Sequence, residues 1–152
     1  MDTAARFQPD LLLAALAAVS EHWSAPTAAD NEVNPNYRIV SLVAGGRARP
    51  PAAAFRFVLQ EFAPVYAAWV SCIEPGGLVH PHIDAGPYRE RWQVPIQPAG
   101  VMNGIEATAG VPFRVEHWKP HSVENTGDRP RIHLVIDRNV VVDANPAPYQ
   151  RL

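Results

Sequence analysis

His82 and Asp84 stand two apart in Pro81-His82-Ile83-Asp84, and a second histidine and an arginine follow at His121 and Arg131. On an extended strand, residues two apart leave the same face, so this imidazole and carboxylate can close on one ion with little backbone distortion. A third ligand must come from another strand, and His121 opens one. Two imidazoles and one carboxylate form a borderline-to-hard donor set that suits ferrous iron among other divalent metals and leaves positions open for exogenous ligands. An arginine ten residues after His121 adds a planar, bidentate cation suited to a carboxylate. Plainer readings exist for each residue. A lone His-x-Asp is common on exposed strands, and six histidines make some pairing expected by chance. His80 shares the expected strand face of His82, His117 precedes His121 by four residues, and His22 falls in the first helix.

The elements that must position these residues are short. The chain has 16 prolines, spaced every few residues from Pro75 to Pro130. Each removes a donor and clashes with the preceding turn, which excludes long helices there and leaves strands joined by turns. Strands are expected at 37–43, 65–74, 77–83, 90–97, 101–106, 112–117, 121–125 and 131–138. Turn signals separate them at Pro75-Gly76-Gly77, Ala85-Gly86-Pro87, Pro98-Ala99-Gly100, Ala109-Gly110 and Asn125-Thr126-Gly127-Asp128. Before them come a helix at about 9–23, capped by Asp10 with Leu12, Leu16, Val19 and Trp23 on one stripe, and a helix at about 52–62 with Phe55, Val58, Leu59 and Phe62 on one face. A polar loop at 24–35 joins the first helix to the first strand. Helices followed by many short strands predict a mainly β fold, a sandwich or barrel with the helices packed outside one sheet.

If 121–125 and 131–138 form an antiparallel hairpin, His121, Val123, Asn125, Arg131 and His133 share one face, while Ile132, Leu134 and Ile136 face the apolar layer. A plain core does not bury an arginine without an anionic partner, so that polar face reads as the wall of a binding cavity. The structural alternative for Arg131 is a salt bridge to Glu116 or Asp128. For His133 a hydrogen-bonded interior histidine is the preferred reading.

At 152 residues the chain fits one domain, and 47% apolar with 18% charged residues is ordinary for a globular protein. A net charge of −2 with both signs interspersed excludes a counter-charge field for nucleic acid or an anionic membrane. The single cysteine, Cys72, excludes an internal disulfide framework and fits a reducing cytoplasm. The apolar run Leu11 to Val19 is preceded by Asp2, Arg6 and Asp10, which argues for an amphipathic helix over a secretory signal. It is also far short of a membrane span.

The block from Ser71 through Glu74-Pro75-Gly76-Gly77 to His80-Pro81-His82-Ile83-Asp84, with Arg89 and Arg91, resembles the aspartyl/asparaginyl β-hydroxylase family. His121-Ser122-Val123-Glu124-Asn125 with Arg131 to Asp137 resembles that family's second block, and together they cover roughly 65–138. The resemblance implies an Fe(II)- and 2-oxoglutarate-dependent dioxygenase with a double-stranded β-helix (jelly-roll, cupin-like) core. Such enzymes hydroxylate an unactivated C–H with O2 and release succinate and CO2. Position by position, it implies His82, Asp84 and His121 as iron ligands and Arg131 as the partner of the far carboxylate of 2-oxoglutarate. It further implies Ser71 and Arg91 as cosubstrate contacts, with a strand hydroxyl and a solvated charge as their plainer readings. Gln93 stands where some members have histidine. Asp84 stands where the animal aspartyl hydroxylases have glycine, so the chain is similar to the proline-hydroxylase-like branch with a full triad.

The expected substrate is an amino acid, a peptide side chain or another small acid, with Arg89, Arg91, Trp92, Trp118 and Lys119 on the pocket rim. The competing readings are a metal cupin enzyme that does not use 2-oxoglutarate, an isomerase or another dioxygenase drawing on His80, His117 or His133, and a non-catalytic jelly-roll binding module.

Overall fold

A computed structural model describes residues 6–25, 36–84, 90–102, 106–138 and 150–151. The turn expected at 85–87, Arg89 and most of the loop expected at 24–35 lie outside the described residues.

The first helix, α1, spans Pro9–Ala18 and is shorter than the sequence suggested. Pro9 fits the first turn, where its missing N–H has no partner to lose. Asp10 is not the cap. Gln8 holds that position without a side-chain hydrogen bond, and Asp10 lies in the first turn, where its charge complements the helix dipole. The helix winds down through shorter-range bonds from the Val19 and Ser20 amides to the Leu16 and Ala17 carbonyls. Trp23 therefore lies beyond it, yet still packs on the same core. The second expected helix is mostly 3-10: turns at Pro50–Phe55 and Gln60–Phe62 flank one α turn, α2, at Arg56–Leu59. Two consecutive prolines withhold the donors a regular ladder needs at its start. The apolar spacing nonetheless works as read, because Phe55, Val58 and Phe62 are fully buried.

The described residues hold β1 Tyr37–Ala44, β2 Arg47–Ala48, β3 Val65–Ile73, β4 Leu78–Ile83, β5 Glu90–Gln97, β6 Val101–Met102, β7 Phe113–Val115, β8 His121–Glu124, β9 Arg131–Arg138 and β10 Gln150–Arg151; all but the short β2 and β10, which were not expected, fall on the expected strands. They form two antiparallel sheets, one ordered β2-β1-β3-β9-β5-β7 and the other β10-β4-β8-β6. This is a double-stranded β-helix, mainly β, with the helices on the outside of the larger sheet. The core extends beyond 65–138 on both sides. β1 pairs with Ala68–Ile73 of β3, and β10 pairs with the edge of β4.

Strand alternation decides which residues reach the site. On the outer face of the larger sheet, Val40, Leu42, Val70, Val94, Leu134 and Ile136 pack against Leu12, Val19, Phe55, Val58 and Phe62. Each such side chain contributes roughly 1.5–3 kcal/mol by leaving water. The inner face carries the polar residues, and a smaller apolar cluster of Ile73, Val79, Met102, Val115 and Val123 lies between the sheets.

The expected hairpin between β8 and β9 does not exist. β8 pairs with β4 and β6, whereas β9 pairs with β3 and β5. The chain changes sheets at a corner built on Asn125, which is fully buried. Its Nδ2 donates to the Ile73 and Arg129 carbonyls, both at 2.8 Å, and its Oδ1 accepts from the Gly127 amide at 3.0 Å. Its own backbone exchanges bonds with Gly76 and Gly77. Asn125 therefore does not face the cavity. His121 and Arg131 still point inward, but from opposite walls.

Candidate metal and anion site

Local backbone geometry aims the three candidate ligands. Val79 pairs with Val123 and His82 with His121, so three steps along β4 match two along β8. The extra residue is a bulge at His80-Pro81, and Pro81 suits it because it has no ladder donor to lose. The bulge breaks strict alternation: Val79 and His82 both face the cavity, and His80 leaves the face on which simple parity put it. The His80 carbonyl instead accepts the His82 Nδ1–H at 2.6 Å, and the Lys119 carbonyl accepts the His121 Nδ1–H at 2.8 Å. A carbonyl can only accept, so both rings must carry their proton on Nδ1 and present the Nε2 lone pair. This is the arrangement that orients metal-binding histidines.

Asp84 is fixed by its backbone amide, which donates to the His117 carbonyl at 2.9 Å. Its Oδ2 lies 3.3 Å from His121 Nε2 and 3.6 Å from His82 Nε2. One ligand atom from each of the three residues falls within 4.8 Å of the others, and this is the sole such group among the described residues. His80, His117 and His133 do not join it. Burial alone would raise the Asp84 carboxyl, but the adjoining His121 and His82 rings and the Arg91 charge hold it far below the usual carboxylate range. It is an anion at any ordinary pH. Two imidazole nitrogens and an anionic oxygen converging at this separation fit a divalent cation.

Arg91 is not solvated. It donates to Asp137 through Nε and Nη2 at 2.7 and 3.0 Å and to Asp84 Oδ2 through Nη1 at 2.5 Å. Its guanidinium lies 5.2 Å from the centre of the Trp69 ring. Burial would weaken its charge, but the two carboxylates more than reverse this and hold it cationic.

The opposite wall carries Arg131, only 3% exposed and among the apolar residues that line the inter-sheet space. No carboxylate among the described residues comes within ion-pair distance of it, so neither Glu116 nor Asp128 neutralises it. Its recorded polar contact is Gln93 Oε1 at 3.3 Å, and burial pulls its guanidinium down to about 10. Gln93 Oε1 also accepts the His133 Nδ1–H at 2.8 Å. Burial, and then the neighbouring Arg131 charge, push His133 well below the ordinary imidazole value, and its Nε2 is buried with no hydrogen-bond partner among the described residues.

A cavity of about 360 Å³ joins the two poles, lined by His82, Asp84, His121 and Arg91 on one side and by Arg131, Gln93, Ser71 and Tyr37 on the other. The rim residues proposed from sequence fare differently. Trp92 points outward into the helix-covered core against Phe62, because it lies one step out of phase with Arg91 and Gln93. Lys119 is exposed and pairs with Glu116, and Trp118 stacks edge-on to His117 outside the cavity lining. Sequence reasoning missed Asp137, Tyr37 and Trp69. Strand parity from Arg131 does put Asp137 on the inner face, but its pairing with Arg91 depends on the β5–β9 register. Burial raises the titration of the Tyr37 phenol, and the neighbouring Trp69 side chain and the Arg91 and Arg131 charges oppose that shift.

No protein-family model and no curated protein sequence matches this chain. Solved structures do. A chain from the crystal structures of the DMSP lyases RdDddP and RnDddQII is similar with TM-score 0.58 at 14% identity, covering 95% of this chain and 71% of its own. The polyketide cyclase RemF from Streptomyces resistomycificus gives TM-score 0.54 at 12% identity over 85% of this chain and 79% of its own. A cupin-like protein from Thermotoga maritima gives TM-score 0.50 at 14% identity, with 88% and 80% covered. At these identities the likeness establishes the cupin fold alone. Among the described residues no helix is long and apolar enough to cross a membrane.

Proposed function

We propose that this chain is an Fe(II)- and 2-oxoglutarate-dependent dioxygenase that hydroxylates an unactivated C–H of an amino acid, a peptide side chain or another small acid. The observation that carries the proposal is the pairing, in one cavity, of a His82–Asp84–His121 ligand set with a buried arginine that has no carboxylate partner among the described residues. The ligand set alone fits many metal enzymes. The unneutralised cation adds a demand for an anion, which a dicarboxylate cosubstrate meets.

In this scheme His82, Asp84 and His121 hold Fe(II), and their number leaves positions for exogenous ligands. The iron supplies the activation of O2 that couples oxidative decarboxylation of 2-oxoglutarate, giving succinate and CO2, to hydroxylation of the substrate. The chain's residues do the positioning. Arg131 takes the far carboxylate as a planar fork, and its apolar surroundings strengthen that pair relative to water. Gln93 braces Arg131, with its oxygen fixed by His133. Ile73, Val79, Met102 and Val123 give the intervening space an apolar lining. The Nδ1 bonds of His82 and His121 keep both rings in one tautomer and orientation.

The test is anaerobic binding of Fe(II) and 2-oxoglutarate, followed by aerobic succinate release with an amino-acid and peptide panel. Wild type should release succinate in a substrate-stimulated manner, and His82→Ala and Asp84→Ala should not, while both stay folded. Full turnover by either variant would sink the ligand assignment. A 2-oxoglutarate-independent metal enzyme is the second reading, favoured by the lyase and cyclase activities named for two fold neighbours. It requires metal binding without any 2-oxoglutarate binding.

A further inference from the structure

We infer that Asp137 is a positioning residue for the metal centre, acting through Arg91 to keep the Asp84 carboxylate available as a ligand. The role assumes the metal-binding function proposed above and goes beyond it. Arg91 and Asp137 are directly opposed in the β5–β9 register, so the larger sheet itself builds their pairing. Asp84 follows β4 of the smaller sheet. The guanidinium thus bridges the two sheets at the ligand cluster.

The geometry shows why two carboxylates are needed. A guanidinium with Asp84 as its sole acceptor would close on it as a fork, occupying both carboxylate oxygens. Asp137 takes that fork instead, with Nε at 2.7 Å and Nη2 at 3.0 Å. Only Nη1 remains for Asp84, and it contacts the single oxygen, Oδ2, that also faces both imidazoles. Trp69 lies against the guanidinium and limits its rotation. Asp84 is therefore oriented by one charge-assisted bond and keeps acceptor capacity for an ion. Asp137 is 3% exposed, so its charge is buried at a cost that the fork must offset.

The experiment titrates wild type, Asp137→Asn and Arg91→Lys with Co(II) by calorimetry, and records the visible Co(II) spectrum and 2-oxoglutarate binding at saturating metal. Both variants should bind Co(II) about 10–100-fold more weakly, the range seen when a partner of a metal ligand is lost. Their spectra should shift, and in Asp137→Asn, which keeps both Arg131 and Arg91, 2-oxoglutarate affinity at saturating metal should stay within about threefold. Should Asp137→Asn not fold, Arg91→Lys decides alone. Co(II) affinity within twofold of wild type in the folded variants overturns the inference and leaves the proposed function standing. Failure of both variants to fold overturns it too, by making the pair structural. Absence of Co(II) binding in wild type sinks the metal-enzyme proposal itself.

Discussion

Replacing Arg131 by methionine should stabilise the ligand-free protein and remove its response to 2-oxoglutarate. Burial lowers the guanidinium from its ordinary value to about 10, a separation that corresponds to about 3 kcal/mol against the charged form. The sign follows from linkage. A base whose titration is depressed by folding destabilises the folded state at every pH below the folded value, and the penalty fades only as pH rises from about 10 towards the ordinary guanidinium value. At neutral pH the whole cost is present. Methionine keeps an unbranched stem of similar reach, loses one long hydrogen bond to Gln93 worth about 1 kcal/mol, and removes the charge. The net gain is about 2 kcal/mol, or roughly 4–8 °C in Tm for a chain of this size. In the other direction, deleting one partner of a buried charge pair costs about 2–5 kcal/mol, so 2-oxoglutarate affinity should fall at least about thirtyfold. The assay is thermal unfolding of wild type and Arg131→Met with Mn(II), with and without 2-oxoglutarate. Wild type should gain Tm with the ligand, and the variant should start higher and gain nothing. A variant destabilised by more than about 2 kcal/mol would refute the reasoning, because it would mean that Arg131 is satisfied within the protein.

His133, neutral and buried, should cost stability as pH falls below its ordinary value of 6.5, since only the unfolded chain then takes up the proton freely. Urea midpoints at pH 7.5 and 5.5 should show wild type losing about 1 kcal/mol and His133→Leu losing clearly less; equal losses would place the effect on another group. Asn125→Ala removes three buried side-chain hydrogen bonds at the sheet-crossing corner and should cost about 3 kcal/mol in denaturant unfolding, with a loss under 1 kcal/mol contradicting the corner's importance.

The strands were legible because prolines and glycines bracket nearly every one, and because alternation in β9 separates Ile132, Leu134 and Ile136 from Arg131, His133 and Asp137. Local alternation survives whichever strand lies alongside, which is why Arg131 was read as inward-facing although its hairpin with β8 is absent. Pairing is a different matter. Whether Asn125 turns a hairpin or a corner between sheets depends on contacts with Ile73, Gly76 and Gly77, some fifty residues earlier. The bulge at His80-Pro81 shows the same limit. One unpaired residue inverted the face of His80, and the proline that permits it did not by itself mark where parity would break. Arg91 was read as a cosubstrate contact, with a solvated charge as the plainer reading, and neither anticipates Asp137, which only the β5–β9 register places opposite it.

The corner at Asn125 has a consequence for ligand length. It carries the chain from one sheet to the other over residues 125–130, so the ligand cluster and Arg131 belong to different layers. Packed sheets lie about 10 Å apart, a spacing set by interdigitated side chains and hard to compress. Any molecule gripped at both poles must span that gap. The fold thus works as a ruler, and shortening such a ligand by one methylene should loosen one grip without the walls closing to recover it.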